Sequence, residues 1–341
     1  MIAFPNLGLE FEVGRTAFRF FGLDIYWYGV IISAAIVLGF LYAMKRSRQF
    51  GMIADKVFDC AAVGLLGGFL GARLYYVIFS ETKYTIVTFF SNIRDGGLAI
   101  YGGIIGAVIF GLIAMKFKKM KMLPILDLAG MSFLLGIGLG RWGNFFNQEA
   151  YGGLTTLPWG MTGSRISQDP AVLEASINAF LSGAENPDAL VHPCFLYESL
   201  WCLLGFALLH FYSKKLRTFD GEIFLLFAAW YGFGRVFIEQ LRSDSLMLGG
   251  FKISQLLAAA SFGAAIGSFI YFKQKTRKEP KLYSSSDESA AEISAYELKL
   301  KLGKEKTEAK KALNKAEEIA PSILGGNHSS TEENEQKEGK V

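Results

Sequence analysis

The chain has 341 residues, is 51% hydrophobic and only 19% charged, and carries a formal net charge of +4. Thirty Phe and 38 Gly in so apolar a sequence, with a positive mean hydropathy, point to a membrane protein rather than a soluble domain. The lysines fall in short clusters between apolar runs, which is no nucleic-acid platform. The three cysteines (Cys60, Cys194 and Cys202) lie in or beside apolar runs with no C-x-x-C pair, against a disulfide framework or a zinc site.

Residues 1–23 are mixed and read as an interfacial lead-in. They lack a basic segment followed by a small-residue cleavage site, so the first apolar run is predicted to be a retained span. Seven apolar runs follow, at 25–44, 57–79, 96–115, 125–140, 194–212, 222–241 and 254–272. Each is near the ~20 residues that cross a bilayer as a helix, and helices satisfy their own backbone in lipid. The predicted fold class is therefore an all-α integral membrane protein with seven transmembrane helices.

Orientation follows from charge. Lys45, Arg46, Arg48 and Lys56 follow the first run, and Lys116, Lys118, Lys119 and Lys121 the third. Lys214, Lys215 and Arg217 follow the fifth, and Lys273, Lys275, Arg277 and Lys278 the seventh. The alternate segments are poorer in Lys and Arg, which predicts the N-terminus outside and the C-terminus in the cytoplasm. The longest outside connection, about 153–192, carries turn signals at Leu157-Pro158, Asp169-Pro170 and Asn186-Pro187 and a short helix near 171–181. It is predicted to be a small extracytoplasmic head inserted in a membrane domain of residues 1–272. Residues 273–341 turn rich in Lys, Glu, Ala and Ser and read as a charged cytoplasmic tail, mostly disordered. A charged helix over 290–319 is open to it through i,i+4 Glu/Lys pairs, without a strong apolar face. Activity is expected to survive truncation after about Lys278.

Polar residues gather at the outer ends of the predicted spans, where they are costly unless paired or facing a wet cavity. Arg141, Asn144, Asn147 and Glu149 close the fourth run among Gly140, Gly143 and Gly152. Arg141 offers a guanidinium fork for a phosphate, and the glycines allow close approach of a backbone or a lipid headgroup. Tyr26, Trp27 and Tyr28 open the first run, where interfacial aromatics also serve as plain anchors. Arg73 lies in the outer half of the second, behind G-x-x-x-G pairs at Gly64/Gly68 and Gly67/Gly71. It either snorkels outward or lines a cavity. Arg235, Glu239 and Arg242 recur on one face of the sixth run.

The run G-R-W-G-N-F-F-N-Q-E-A-Y-G (140–152) closely resembles the signature of bacterial prolipoprotein diacylglyceryl transferases. The resemblance extends over about 23–272: W-Y-G (27–29), the glycine pairs Gly96-Gly97 and Gly102-Gly103 around Tyr101, H-P-C-F-L-Y-E (192–198) and G-R-V-F-I-E-Q-L-R-S-D (234–244). It implies an enzyme of the bacterial cytoplasmic membrane, multi-pass, with its active site toward the outer leaflet. Such an enzyme moves the diacylglyceryl group of phosphatidylglycerol to the lipobox cysteine thiol of a preprolipoprotein. A thioether forms and glycerol phosphate leaves. No cofactor or metal is implied, and the sequence holds no P-loop, G-x-S-x-G or H-E-x-x-H. The implied partners are phosphatidylglycerol, lipobox peptides and the bilayer.

The resemblance assigns catalysis to Tyr101, Arg141, Asn144, Glu149, Arg235 and Glu239. Substrate binding is expected at Tyr28, Arg73, Arg141, Gly152, His192 and Arg242. Arg141 and Arg235 would grip the phosphate, with Glu149 and Glu239 holding the arginines. Many members carry His where this chain has Tyr101. A tyrosine is a poor base at neutral pH, so Tyr101 either orients substrate through its hydroxyl or the base lies elsewhere. His192 serves equally as a structural hydrogen-bonder. Two rivals remain on the residues alone: an anion transporter, which should show internal repeats, and an anionic-lipid binding protein without transferase chemistry.

Overall fold

The computed structural model describes residues 1–80, 89, 97–184, 188–243, 247–248 and 251–324, without the side chains of 248, 251 and 315–324. Asp95, Gly96, the Asn186-Pro187 turn, Asp244 and the end of the tail lie outside the described residues.

The chain opens with four short strands, β1 (Ile2–Phe4), β2 (Leu9–Phe11), β3 (Thr16–Phe20) and β4 (Leu23–Tyr26). Helices α1 (Trp27–Arg46), α2 (Ala54–Phe79), α3 (Ile100–Phe117) and α4 (Met122–Asn147) follow. The long connection holds β5 (Thr162–Gly163) and α5 (Pro170–Leu181). Then come α6 (Cys194–Lys215), α7 (Glu222–Leu241), the two-residue strands β6 (Met247–Leu248) and β7 (Phe251–Lys252), α8 (Ile253–Thr276) and α9 (Asp287–Leu324).

Among the described residues, six helices are long and apolar enough to cross a membrane: α1, α2, α3, α4, α6 and α8. The remaining expected span, α7, is a 20-residue helix and is not among them. It carries Glu222, Arg235 and Glu239 and packs against α4, α6 and α8. Its polar groups are spent on neighbouring helices rather than exposed to lipid.

Helices α2 and α3 make the most intimate pair, and glycine is the reason. A side chain at Gly71 would meet the carbonyl of Gly102, and one at Gly106 the carbonyl of Gly67. The predicted close-packing face of Gly64, Gly67, Gly68 and Gly71 is thus where α3 lies. Helices α6 and α7 are locked by a tryptophan pair. The Trp201 and Trp230 rings stack with centroids 4.2 Å apart, and each indole N–H donates to the other residue's backbone carbonyl, at 2.9 and 3.0 Å. The lock fixes the register between Glu198 on α6 and Arg235 on α7.

The other end of the bundle is also polar. Asp127 of α4 caps α7 from outside, accepting from the backbone N–H groups of Gly221 (2.9 Å) and Phe224 (3.0 Å). Lys273 of α8 reaches Glu222 at 2.5 Å. The strap after α8 closes this end: Lys281 N–H donates to Thr218 O, and Tyr283 N–H to the Asp220 carboxylate, both at 2.7 Å. The strap belongs to the first compact unit, Met1–Ser286, so the unit runs past the boundary predicted at 272. A cut after Lys278 would remove residues that this face is built on.

The lead-in is ordered rather than formless. Strand β1 sits between β2 and β5, all antiparallel, with Ile2 opposite Phe11 on one side and Gly163 on the other. Ile2, Phe4, Met161, Ile166, Val172 and Val191 form one buried cluster with Phe145 of α4 and Phe195 of α6. The head is therefore built jointly from the N-terminal strands and the long connection. The second unit, from Asp287, contains α9. Where composition points to a mostly disordered tail, the structure has one long helix. Every residue from 297 to 314 in it is exposed.

Candidate functional site

The end of α4, the start of α6 and the end of α7 meet beneath the head, and their charges form a continuous chain. Glu198, with a side chain only 3% exposed, stands at its centre. One carboxylate oxygen accepts from Arg141 at 2.6 Å and from the Tyr231 hydroxyl at 3.1 Å. The other accepts from Arg235 at 3.0 Å. Arg235 then pairs with Glu239 at 2.6 Å, one helical turn on. The order Arg141–Glu198–Arg235–Glu239 alternates in sign, which is what makes so many buried charges tolerable.

A second set hangs from it. Arg141 donates to Asn144 at 3.4 Å, Asn144 to Glu149 at 2.8 Å, and Asn147 to Glu149 at 3.2 Å. Gln148 takes a left-handed backbone (φ 54°), which ends α4 and turns Glu149 back toward the two amides. The described bonds of Arg141 leave further guanidinium N–H groups for an incoming anion.

A cavity of about 620 Å³ runs down from this cluster between α1, α2, α3 and α4. Its walls are almost wholly apolar, including Ile36, Phe40, Leu65, Phe133 and Ile137. Its polar mouth is formed by Tyr28, Arg141 and Asn144. Tyr28 packs against Gly143, where a Cβ would fall 2.9 Å from the ring. An apolar slot with an arginine at its mouth suits a molecule with a long hydrocarbon part and an anionic head.

The structure thus brings Tyr28, Arg141, Asn144, Glu149, Arg235 and Glu239 to one site, and it corrects several expectations. Glu149 holds Asn144 and Asn147, and the residue that holds both arginines is Glu198. Sequence reasoning placed Glu198 inside a motif but gave it no role, and it passed over Tyr231. The available signal was that Glu198 is the sole acid of apolar α6, and that Tyr231 precedes Arg235 by one turn.

Arg73 neither snorkels nor lines the cavity. It is 1% exposed and donates to the carbonyls of Phe89 (2.9 Å) and Gly97 (3.1 Å), so it joins both residues to α2. Tyr101 is 61% exposed and is not part of the cavity wall. Helix α3 faces α2 through Gly102 and Gly106, which turns the neighbouring Tyr101 outward. Gly152 is a close-packed junction. Its N–H donates to His192 O at 2.8 Å, and a side chain there would meet Leu241 O, Cys194 Sγ and His192 Cβ.

His192 sits in the head against the Tyr197 hydroxyl at 3.3 Å, and that hydroxyl accepts from Trp159 at 2.7 Å. Burial lowers its pKa below the ordinary 6.5. Arg242 lies beside Gly152, close enough for its charge to bear on Arg141. Lys252 donates to the carbonyls of Glu239 (2.7 Å) and Arg242 (2.6 Å), capping α7. Among the described residues, no group of three or more His, Cys, Asp or Glu could hold a metal.

Fold and site together define a multi-pass helical membrane protein in which Arg141, one of two arginines joined by Glu198, stands at the mouth of an apolar cavity. Residues 15–271 match the family model of prolipoprotein diacylglyceryl transferase. The chain is 35% identical to the phosphatidylglycerol–prolipoprotein diacylglyceryl transferase of Clostridioides difficile (strain 630), over 77% of this chain and 97% of that protein. Those of Finegoldia magna and Clostridium novyi (strain NT) are 38% and 40% identical, over 77% and 71% of this chain and 98% and 90% of theirs. The chain belongs to the prolipoprotein diacylglyceryl transferase family.

Proposed function

We propose that this protein transfers the diacylglyceryl group of phosphatidylglycerol to the lipobox cysteine of preprolipoproteins. The observation that carries this reading is Arg141 at the mouth of the apolar cavity, joined through Glu198 to Arg235. The lipid's hydrocarbon enters the cavity, and its phosphodiester lies at Arg141 and Arg235. The lipobox sulfur attacks the glyceryl carbon bonded to phosphate. The C–S bond forms as the C–O bond breaks, and glycerol phosphate leaves with the bonding pair. The enzyme needs no nucleophile of its own, because the sulfur belongs to the protein substrate.

In this reading Arg141 and Arg235 stabilise charge on the departing phosphate, and Asn144 donates to it. Glu198 positions both arginines. Glu149 takes the thiol proton. It is held by two neutral amides rather than by an arginine, which leaves it the more available of the carboxylates. The protein is placed in the bacterial cytoplasmic membrane with seven spans, counting α7, its N-terminus outside and the site toward the outer leaflet. Lys and Arg clusters after α1, α3, α6 and α8 support that orientation. Residues from 287 on are proposed to be dispensable for transfer.

The test is direct. Purified protein is incubated with phosphatidylglycerol vesicles and a lipobox peptide, and the peptide's mass is followed. A gain of one diacylglyceryl group that is lost on Cys→Ser in the peptide supports transfer. Lipid binding with no mass gain by folded protein supports a binding role instead.

A further inference from the structure

The hairpin of β3 and β4 is amphipathic and one of its faces is uncovered. Cross-strand pairing sets Phe18 opposite Ile25, Arg19 opposite Asp24, and Phe20 opposite Leu23. Side chains alternate along a strand, so Phe18, Phe20, Leu23 and Ile25 share one face and the Arg19–Asp24 ion pair lies on the other. Phe18, Phe20 and Leu23 are all exposed, and Phe21 at the tip is 90% exposed.

The tip is also strained. Phe21 and Gly22 adopt φ of 48° and 76°, the conformation of a two-residue turn that favours Asn-Gly or Gly-Gly. A bulky aromatic at the first position is disfavoured there. An isolated two-stranded hairpin is marginal in water, and one with a bare aromatic face more so. Something apolar must cover it. Its connection says what. Strand β4 ends at Tyr26 and α1, a membrane-crossing helix, begins at Trp27 with no intervening residue. The N–H of Trp27 donates to Arg15 O at 3.0 Å, which ties the base of the hairpin to the helix start. The aromatic face is therefore held at the level where α1 leaves the bilayer. Arg15 at the base of the hairpin is suited to anionic headgroups.

We propose that this hairpin is a lipid-inserting wedge. Phe20, Phe21 and Leu23 enter the headgroup–acyl boundary of the leaflet beside the cavity mouth, while Arg19 and Asp24 stay wet. Because α1 also carries Tyr28 at that mouth, the wedge sets where the cavity opens relative to the lipid it must admit. That last consequence rests on the transferase reading, and insertion itself does not.

The test uses the full chain in vesicles of phosphatidylglycerol and phosphatidylcholine. An environment-sensitive fluorophore is attached at Phe21→Cys or, as the opposite-face control, at Arg19→Cys. The three native cysteines are buried, which directs the label to the introduced thiol. The expected result is a blue-shifted label at 21 that lipid-borne quenchers reach and aqueous quenchers do not, with the reverse at 19. Equal exposure of both labels to water overturns the proposal. So does a label at 21 that is shielded only after lipobox peptide is added, which would make the face a peptide dock. A second arm replaces all three residues (Phe20→Ser, Phe21→Ser, Leu23→Ser). KM for vesicle-borne lipid should rise roughly fivefold or more at unchanged kcat and unchanged thermal unfolding. An unchanged KM overturns the role at the cavity mouth while leaving the transferase reading intact.

Discussion

Glu198→Gln isolates what the shared carboxylate does. It keeps the shape of the side chain and one carbonyl oxygen but removes the charge that two arginines share. Breaking a buried ion pair by removing one partner costs about 3–5 kcal/mol. Here the loss is smaller for two reasons. Arg235 keeps Glu239 at 2.6 Å, and the Arg141 side chain is 21% exposed, so solvent takes up part of its charge. Stability should fall by about 2 kcal/mol, below the full range for a stranded charge. Activity should fall further. Both phosphate donors lose their common anchor, and misplacing preorganised donors of this kind costs roughly 10²–10³ in rate. Thermal unfolding in detergent and initial rates of peptide lipidation separate the two effects. A folded Glu198→Gln protein with wild-type kcat/KM would refute the claim that Glu198 positions the arginines.

Arg141→Lys and Arg235→Lys keep the charge but lose the planar fork, and each should lower the lipidation rate roughly 10²-fold or more; near-normal rates would show that charge alone suffices. Gly106→Ala places a methyl group against the backbone of Gly67 and should lower stability by about 1–3 kcal/mol, read as a drop in melting temperature. Burial lowers the folded pKa of His192 below 6.5, so protonation opposes the fold. Its contribution to stability is present above 6.5 and is lost as pH falls through the lowered value. His192→Gln should flatten that part of the stability–pH curve, and an unaltered slope would show that the ring does not couple to folding. Truncation after Ser286 should leave activity intact, whereas truncation after Lys278 removes the strap and should lower the melting temperature, with equal stability of the two contradicting a structural strap.

Much of the bundle was legible because a membrane helix declares itself by length and apolarity, and six of the expected spans are such helices. Helix α7 was read from the same pattern, yet it is the least lipid-like, since it supplies Arg235 and Glu239 to the site. The arginines could be found because charge in an apolar run demands a partner. Which partner could not, since that depends on helix register across space. Glu198 faces both arginines only because the end of α4, the start of α6 and the end of α7 meet, and the α6–α7 register set by the Trp201–Trp230 lock is invisible along the chain. The placement of Arg73 and Tyr101 was not legible for the same reason. Their sequence neighbours suggest a site, but the glycine face that joins α2 and α3 decides which way each one points. The share of the N-terminal strands in the head escaped because β1 pairs with β5, four helices later in the chain, and strands this short leave little periodicity to read.

The most direct test of the central claim is a two-product assay on wild-type protein in phosphatidylglycerol vesicles with a lipobox peptide. Glycerol phosphate in solution and diacylglyceryl peptide are quantified in the same samples over time. The account predicts that they appear at equal rates, and that both vanish when the peptide cysteine is replaced by serine. Glycerol phosphate released without lipidated peptide, or no product from folded, lipid-loaded protein, would contradict it.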